Sequence, residues 1–330
     1  MATVSRAINR NAPVHDETAR RVQSAVRALK YVPHAAARSL SIRRSHTIGV
    51  VLPDVHGEFF SEVIRGIDVA ARRLGYHILV SSSHADIEEM SAMLRALRGR
   101  VDGLIVMSPD LELGSMSRSI AAETPVVLLN SAGSGKRTIR IDNFAGAHAM
   151  TEHLISLGHK RIAFITGPER NVDAAERRRG YRSGVDGASP SRPQIEIAGD
   201  FTEAAGHRAV AAILAWKPRP TAIFAANDAM ALGALDALRE AQVLVPDDMA
   251  LVGFDDVPIA RYLTPRLTTV RVEIAELGRR AVESLVSSLT GGGESKKVEV
   301  IPTTLVVRES CGARLAEPRP VPVRQKTKAL

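Results

Sequence analysis

In this chain of 330 residues, the side chains that could grip a small polar molecule recur at the ends of apolar runs. Pro53-Asp54, His56 and the pair Phe59-Phe60 follow Ile48-Gly49-Val50-Val51-Leu52, and Asp142-Asn143 follow Ile141. Thr166-Gly167-Pro168 follow Ile165, with Arg177-Arg178-Arg179 downstream; Gly199-Asp200-Phe201-Thr202, Ala226-Asn227-Asp228 and Asp255-Asp256 mark three more such junctions. Ligands of open parallel sheets bind outside the carboxyl ends of the strands, so a site is expected at these junctions. Aromatic faces beside amide, carboxylate and guanidinium groups suit a sugar, with its apolar ring face and hydroxyl rim. Each residue also has a plainer role. Asn227 or Asp228 could cap a helix over 229–241, Asp255-Asp256 could form a turn, Arg177 could be solvated and Phe201 could be core. The expectation rests on their joint occurrence, not on any one of them.

Other chemistries fail on spacing. Asn130-Ser131-Ala132-Gly133-Ser134-Gly135-Lys136-Arg137 imitates a phosphate loop, but Asn130 stands where the first Gly is needed and Arg137 replaces the magnesium-binding Ser/Thr. Ile139-Arg140-Ile141 then continues as a strand, not the required helix. The ten histidines include no HExxH, and His148 and His153 are five apart, off the i, i+4 face. The single Cys311 excludes an internal disulfide and a cysteine-based zinc site. No Gly-x-Ser-x-Gly elbow is present. No catalytic residue, metal ligand set or cofactor is expected.

The elements that must position the junction residues read as alternating strands and helices. Continuous runs such as His77-Ile78-Leu79-Val80, Gly103-Leu104-Ile105-Val106 and Pro125-Val126-Val127-Leu128-Leu129 fit parallel strands buried on both faces. A helix over about 59–75 carries the stripe Phe60, Val63, Ile64, Ile67, Ala71 and Leu74. The scheme repeats through Arg161-Ile162-Ala163-Phe164-Ile165-Thr166, Thr221-Ala222-Ile223-Phe224-Ala225 and Ala250-Leu251-Val252-Gly253-Phe254, which implies two similar lobes. A helix over 274–289 and a strand near 298–301 close the body.

The amino terminus is of another kind. Residues 1–46 hold nine Lys/Arg against two Asp/Glu and residues 311–330 five against one, so a net charge of +8 leaves the middle at −3. A basic arm on a mildly acidic body is the footprint of a polyanion-binding arm. Val4 and Ile8 mark one face of a short helix, with Ser5, Arg6 and Asn9 on the other. That suits a helix docked by one face whose other face enters a major groove. Arg6 can read guanine edges, and Ser5 and Asn9 can reach bases or phosphates. A second helix over about 16–30 carries Val22, Val26 and Leu29 on its inner face. The plainer reading is an amphipathic helix pair without a nucleic-acid role.

Thr3-Val4-Ser5-Arg6-Ala7-Ile8-Asn9, Tyr31-Val32-Pro33 and Ala35-Ala36-Ala37-Arg38-Ser39-Leu40, followed by two sets of βα units, resemble the lactose/purine-repressor (LacI/GalR) family of transcription regulators over about residues 1–310. The resemblance implies DNA contact at Thr3, Ser5, Arg6, Asn9, Ala37, Arg38, Leu40 and Arg43. Leu40 stands at the position of a hinge-helix leucine that wedges into the minor groove, where unstacking is recovered through a bent duplex. So short a helix is marginal alone, so folding on binding is implied. The resemblance also implies an effector cleft lined by His56, Phe59, Phe60, Asp142, Arg177, Phe201, Asn227 and Asp255. The match opens within the second helix of a helix-turn-helix. Either a start lies upstream by about one helix and a turn, or this product binds DNA poorly.

The expected fold class is α/β: a two-lobed, periplasmic-binding-protein-like body of two parallel-sheet, Rossmann-like lobes behind a partial all-α helix-turn-helix arm. The arm spans 1–45 and the body 46–310, with lobe 1 at 46–143 and 272–299 and lobe 2 at 144–271 and 300–310. Residues 311–330 read as a disordered tail without the leucine heptads that would tetramerise a relative, so a homodimer is expected. The expected function is a DNA-binding repressor controlled by a sugar or sugar acid. A soluble sugar-binding receptor predicts an exported leader and no basic arm, and an α/β sugar hydrolase predicts a paired acid and base. No apolar run approaches the roughly 18 residues of a membrane span and no leader precedes the first motif, so the cytoplasm is the expected compartment.

Overall fold

The computed structural model describes residues 3–4, 7, 14–29, 44–84, 86–109, 120, 124–131, 137–189, 192–292 and 298–313. Its strands are β1 (Thr47–Leu52), β2 (His77–Ser82), β3 (Gly103–Met107), β4 (Val126–Leu129), β5 (Arg137–Ile141), β6 (Ile162–Ile165), β7 (Ile195–Ile197), β8 (Ala222–Ala225), β9 (Ala250–Val252), β10 (Thr269–Val272), β11 (Val298–Ile301) and β12 (Thr303–Val306). Its helices are α1 (Asp16–Ala28), α2 (Glu58–Arg73), α3 (Ile87–Leu97), α4 (Asn143–Ser156), α5 (Val172–Ala188), α6 (Glu203–Ala215), α7 (Asp228–Glu240) and α8 (Ile274–Leu289). Two parallel sheets result, ordered β11-β5-β4-β3-β1-β2 and β7-β6-β8-β9, with β10 and β12 joined as an antiparallel ribbon.

The apolar runs are continuous because both faces of the first sheet are covered, yet the faces still alternate along each strand. Val51, Leu104, Val106 and Leu128 pack with Met90, Leu94 and Leu97 of α3. Ile48, Val50, Ile105 and Val127 belong to the larger core with Val63 and Ile67 of α2 and Leu277, Val282 and Leu285 of α8. The run at His77-Ile78-Leu79-Val80 departs from expectation. It forms the outermost strand, so Leu79 is 44% and Val80 37% exposed rather than buried.

The chain passes from one sheet to the other after β5, between β9 and α8, and after β11. The last passage comes after Ile301, two residues later than expected, because Val300 and Ile301 still pair with Arg140 and Ile141 of β5. Ordered packing also runs past 310: Cys311 is buried, with Sγ 3.5 Å from His153 Nε2. Residues 314–330 of the expected tail lie outside the described residues.

The amino-terminal helices are thinly covered. Helix α1 ends at Ala28, so Leu29 falls at its C-cap and is 78% exposed instead of packing with Val22 and Val26. Of the helical residues described before α1, Val4 is exposed while Ala7 is buried. No helix among the described residues is long and apolar enough to cross a membrane.

Helices α6 and α7 cross at backbone contact. A Cβ on Gly206 would meet the Met230 carbonyl oxygen, and one on Gly233 the Glu203 carbonyl oxygen. Neither backbone can retreat, since Met230, Ala231 and Ala234 are buried in the core. Gly233→Ala should therefore destabilise the fold by about 1–3 kcal/mol, the usual penalty of overpacking. A urea unfolding midpoint equal to that of the wild type would show that the helices can part.

Candidate functional site

The carboxyl ends of β8 and β9, the segment after β7 and the start of α4 converge on one side chain. Arg177, in the first half of α5, is buried, with its side chain 4% exposed. Its Nε donates to Asn143 Oδ1 at 2.8 Å, Nη1 to the Ala226 carbonyl oxygen at 2.6 Å, and Nη2 to Asp255 Oδ1 at 2.9 Å. The guanidinium carbon lies 3.9 Å from the centroid of the Phe254 ring and 5.7 Å from that of Phe201. A planar cation over an aromatic face, with a fork of fixed donors, is a rigid hydrogen-bonding platform.

Each partner is held in turn. Asn143, the first residue of α4, donates from Nδ2 to Asp173 Oδ1 at 2.8 Å. Asn227 caps α7 by accepting from the Met230 amide at 2.9 Å, and its Nδ2 donates to the Phe201 carbonyl oxygen at 3.0 Å. Phe201 has φ +71°, Asp255 +113° and Asp256 +55°. Such left-handed backbone is disfavoured for non-glycine residues and gathers at ligand clamps and active sites. Asp256 is fixed by Arg271 at 2.7 Å and Arg308 at 2.6 Å, which ties this corner to the β10–β12 region.

Burial governs the electrostatics. It pushes the Asp255 carboxyl up to about 6, with the Arg177 charge pulling the other way. Asp228 is wholly enclosed; burial, and then the Asp255 charge, hold its carboxyl well above the usual range. Thr269 Oγ1 donates to Asp228 Oδ1 at 2.6 Å and the Val257 amide to Oδ2 at 2.9 Å. Asp228 thus fastens the turn carrying Asp255 to α7 and β10.

Of the sequence-predicted site residues, Arg177, Phe201, Asn227 and Asp255 fall together here. Asp142 lies beside them but caps α4 through the Ala145 amide at 3.1 Å, while its neighbour Asn143 turns to Arg177. His56 is exposed on the loop before α2, and Phe59 and Phe60, half-buried, meet edge to face with centroids 5.5 Å apart. No described hydrogen bond or ring contact joins these three to the Arg177 cluster. They belong to the first lobe, and away from the crossing strands and the start of α4 two hydrogen bonds among the described residues reach from that lobe to the second. The Ile259 amide donates to Glu58 Oε2 at 2.9 Å, and the Val172 amide to the Pro109 carbonyl oxygen at 3.0 Å. Among the expected DNA contacts, Thr3 is helical and exposed, while Ser5, Arg6, Asn9, Ala37, Arg38, Leu40 and Arg43 lie outside the described residues.

Sequence reasoning passed over Asn143, Phe254 and the Ala226 carbonyl. Asn143 carried a signal, as one of two polar residues after a strand. Phe254 ends an apolar run and looks like any core residue. A backbone carbonyl leaves no trace in side-chain chemistry.

Residues 1–34 match the family described as bacterial regulatory proteins, lacI family, and residues 151–311 match a periplasmic binding protein-like domain. The chain is 35% identical over 322 residues to the HTH-type transcriptional repressor PurR of Aliivibrio fischeri, covering 95% of each. It is 35% identical over 296 residues to the ribose operon repressor of Escherichia coli, covering 88% of this chain and 89% of that one. Its fold matches the lac repressor dimer bound to operator and the anti-inducer ONPF, with a TM-score of 0.86 at 29% identity over 94% of this chain and 95% of that one.

Proposed function

This chain belongs to the lacI family of bacterial regulatory proteins, and from that premise we propose a cytoplasmic repressor whose operator affinity is set by a sugar or sugar acid held between its two lobes. Residues 1–45 serve as the DNA-binding arm and 46–310 as the effector-binding body. The observation that carries the effector reading is the Arg177 platform. A guanidinium has five N–H donors, and protein acceptors take one on each of Nε, Nη1 and Nη2. Two donors are left for a ligand hydroxyl or carboxylate, beside the Asp255 carboxylate and the Phe201 ring. Asp142 and Asn227 border that platform, and His56, Phe59 and Phe60 close on the ligand from the first lobe.

A molecule that grips both lobes shifts the balance between their arrangements only by its differential affinity for them. The Glu58–Ile259 and Val172–Pro109 hydrogen bonds are lobe-to-lobe contacts of the kind that balance would make or break. A coupling of about 1–3 kcal/mol, or 5- to 150-fold in affinity, suffices for a switch. The operator partner is read by two arms in a homodimer. Leu79 and Val80 on the edge strand and Val69 on α2, 60% exposed, supply an apolar surface for a second copy.

The test is a mobility-shift titration on operator DNA flanking the gene, repeated with a panel of sugars and sugar acids. One of them is expected to change operator affinity about 5- to 150-fold without being consumed. A sugar that binds tightly yet leaves DNA affinity unchanged would make the body a receptor. Conversion of the sugar would make it an enzyme.

A further inference from the structure

The outer face of the second lobe holds a second constellation, away from the Arg177 cluster. His207 on α6 and Asp236 and Glu240 on α7 each offer a ligand atom, and these atoms all lie within 4.8 Å of one another. His207 Nε2 stands 3.0 Å from Glu240 Oε2. We infer that these three side chains form a binding site for a divalent transition ion of the zinc class.

Three features carry the inference beyond a surface ion pair. The first is the spacing. With metal–nitrogen and metal–oxygen bonds of about 2.0–2.2 Å, neighbouring ligand atoms stand roughly 3.0–3.5 Å apart. The His207–Glu240 separation already meets that, and Asp236 needs only side-chain rotation to join. The second is charge. Asp236 and Glu240 are an i, i+4 pair of like charge on one helix face, an arrangement that is unfavourable unless compensated. His207 answers Glu240, but Asp236 has no hydrogen-bond or ion-pair partner among the described residues. A cation between all three satisfies both carboxylates at once. The third is the scaffold. The glycine crossing at Gly206 and Gly233 holds α6 and α7 at backbone contact, one residue from His207 and three from Asp236. Ligands on rigid helices keep their separation better than ligands on loops.

The donor set selects the ion. One imidazole with two carboxylates suits zinc, nickel or copper, whereas magnesium and calcium favour all-oxygen shells. Three protein ligands leave the remaining positions to water. Such an ion would clip the two outer helices of the effector-binding lobe together.

The experiment uses the full chain stripped with EDTA and dialysed, then titrated with Zn2+ by calorimetry and with Co2+ by visible absorption. The chain has ten histidines, so the readout is the difference between proteins. His207→Ala is expected to bind one Zn2+ fewer per chain and to lose the corresponding Co2+ band. Asp236→Asn is expected to weaken that site at least tenfold while its melting temperature in EDTA is no lower than that of the wild type, since Asp236 has no partner to lose and its repulsion with Glu240 is relieved. Identical isotherms for the wild type and both variants would overturn the site. So would undiminished Zn2+ binding by Asp236→Asn, which would reduce the cluster to a His207–Glu240 ion pair. Equal affinity for Mg2+ would overturn the role given to the imidazole.

Discussion

Replacing Arg177 by alanine is expected to destabilise the fold by about 3–5 kcal/mol, the range for breaking a buried ion pair from one side, and to abolish effector binding. The buried Asp255 carboxylate would lose its counter-charge, and Asn143 Oδ1 and the Ala226 carbonyl would lose their donors. Each of these groups sits at a strand or helix end where the fold turns, so the loss would spread to α4, β8 and the turn after β9. The ring of Phe254 would also lose the guanidinium stacked on it at 3.9 Å. Arg177→Lys keeps the charge but not the fork, and one ammonium cannot reach three acceptors set around a plane. It should fold better than the alanine variant and still bind effector poorly. Urea unfolding followed by circular dichroism, with calorimetry on the identified effector, tests both variants. A change within about 0.5 kcal/mol, typical of a surface substitution, would return Arg177 to the role of a solvated arginine.

That substitution also marks how far the sequence could be read. Arg177 stands in a run of three arginines, and nothing in the run says which one turns inward. Helical phase decides it: Arg177 shares a face with Ala174, Gly180, Tyr181 and Gly184, all buried, while Arg178 and Arg182 reach out to Glu196. The likeness to known regulators singled out Arg177 before that phase was visible. Asp142 and Asn143 posed the same problem at a helix start. The first became the cap and the second faced inward, a choice that depends on a one-residue shift in where α4 begins. The helix at Ile274–Leu289 and a strand near Val298–Ile301 were legible because apolar periodicity and strand-forming residues agree there. β2 was misjudged for a physical reason: an apolar run records what a strand could bury, not whether a neighbour arrives to cover it. The lobe-to-lobe bonds at Glu58 and Val172 were invisible, since one uses a backbone amide and the other two backbone groups.

Effector binding should weaken as pH falls through about 6, because burial raises the Asp255 carboxyl to about 6 and only its ionised form accepts from ligand hydroxyls on both oxygens. The contribution of Asp255 to folding runs the opposite way. An acid whose folded value lies above its unfolded one, about 3.9, favours the native state fully below that unfolded value. That contribution is lost as pH rises through about 6. Between roughly pH 4 and 6, then, Asp255 makes the protein less stable and the effector better bound as pH rises. Asp228 is also raised, so the part due to Asp255 must be isolated by substitution. Asp255→Asn should flatten both trends over this window. Asp255→Ala should weaken the effector about 5- to 150-fold, the equivalent of leaving a buried polar group unpaired at about 1–3 kcal/mol. Operator affinity without effector should not change, since the substitution does not touch the arm. Asp255→Gly separates the two roles of this residue. Its backbone sits at φ +113°, which glycine adopts freely, so it should recover stability relative to alanine but not effector binding. If glycine and alanine both bind effector as tightly as the wild type, and only alanine unfolds more readily, Asp255 serves the turn and the ligand is held elsewhere.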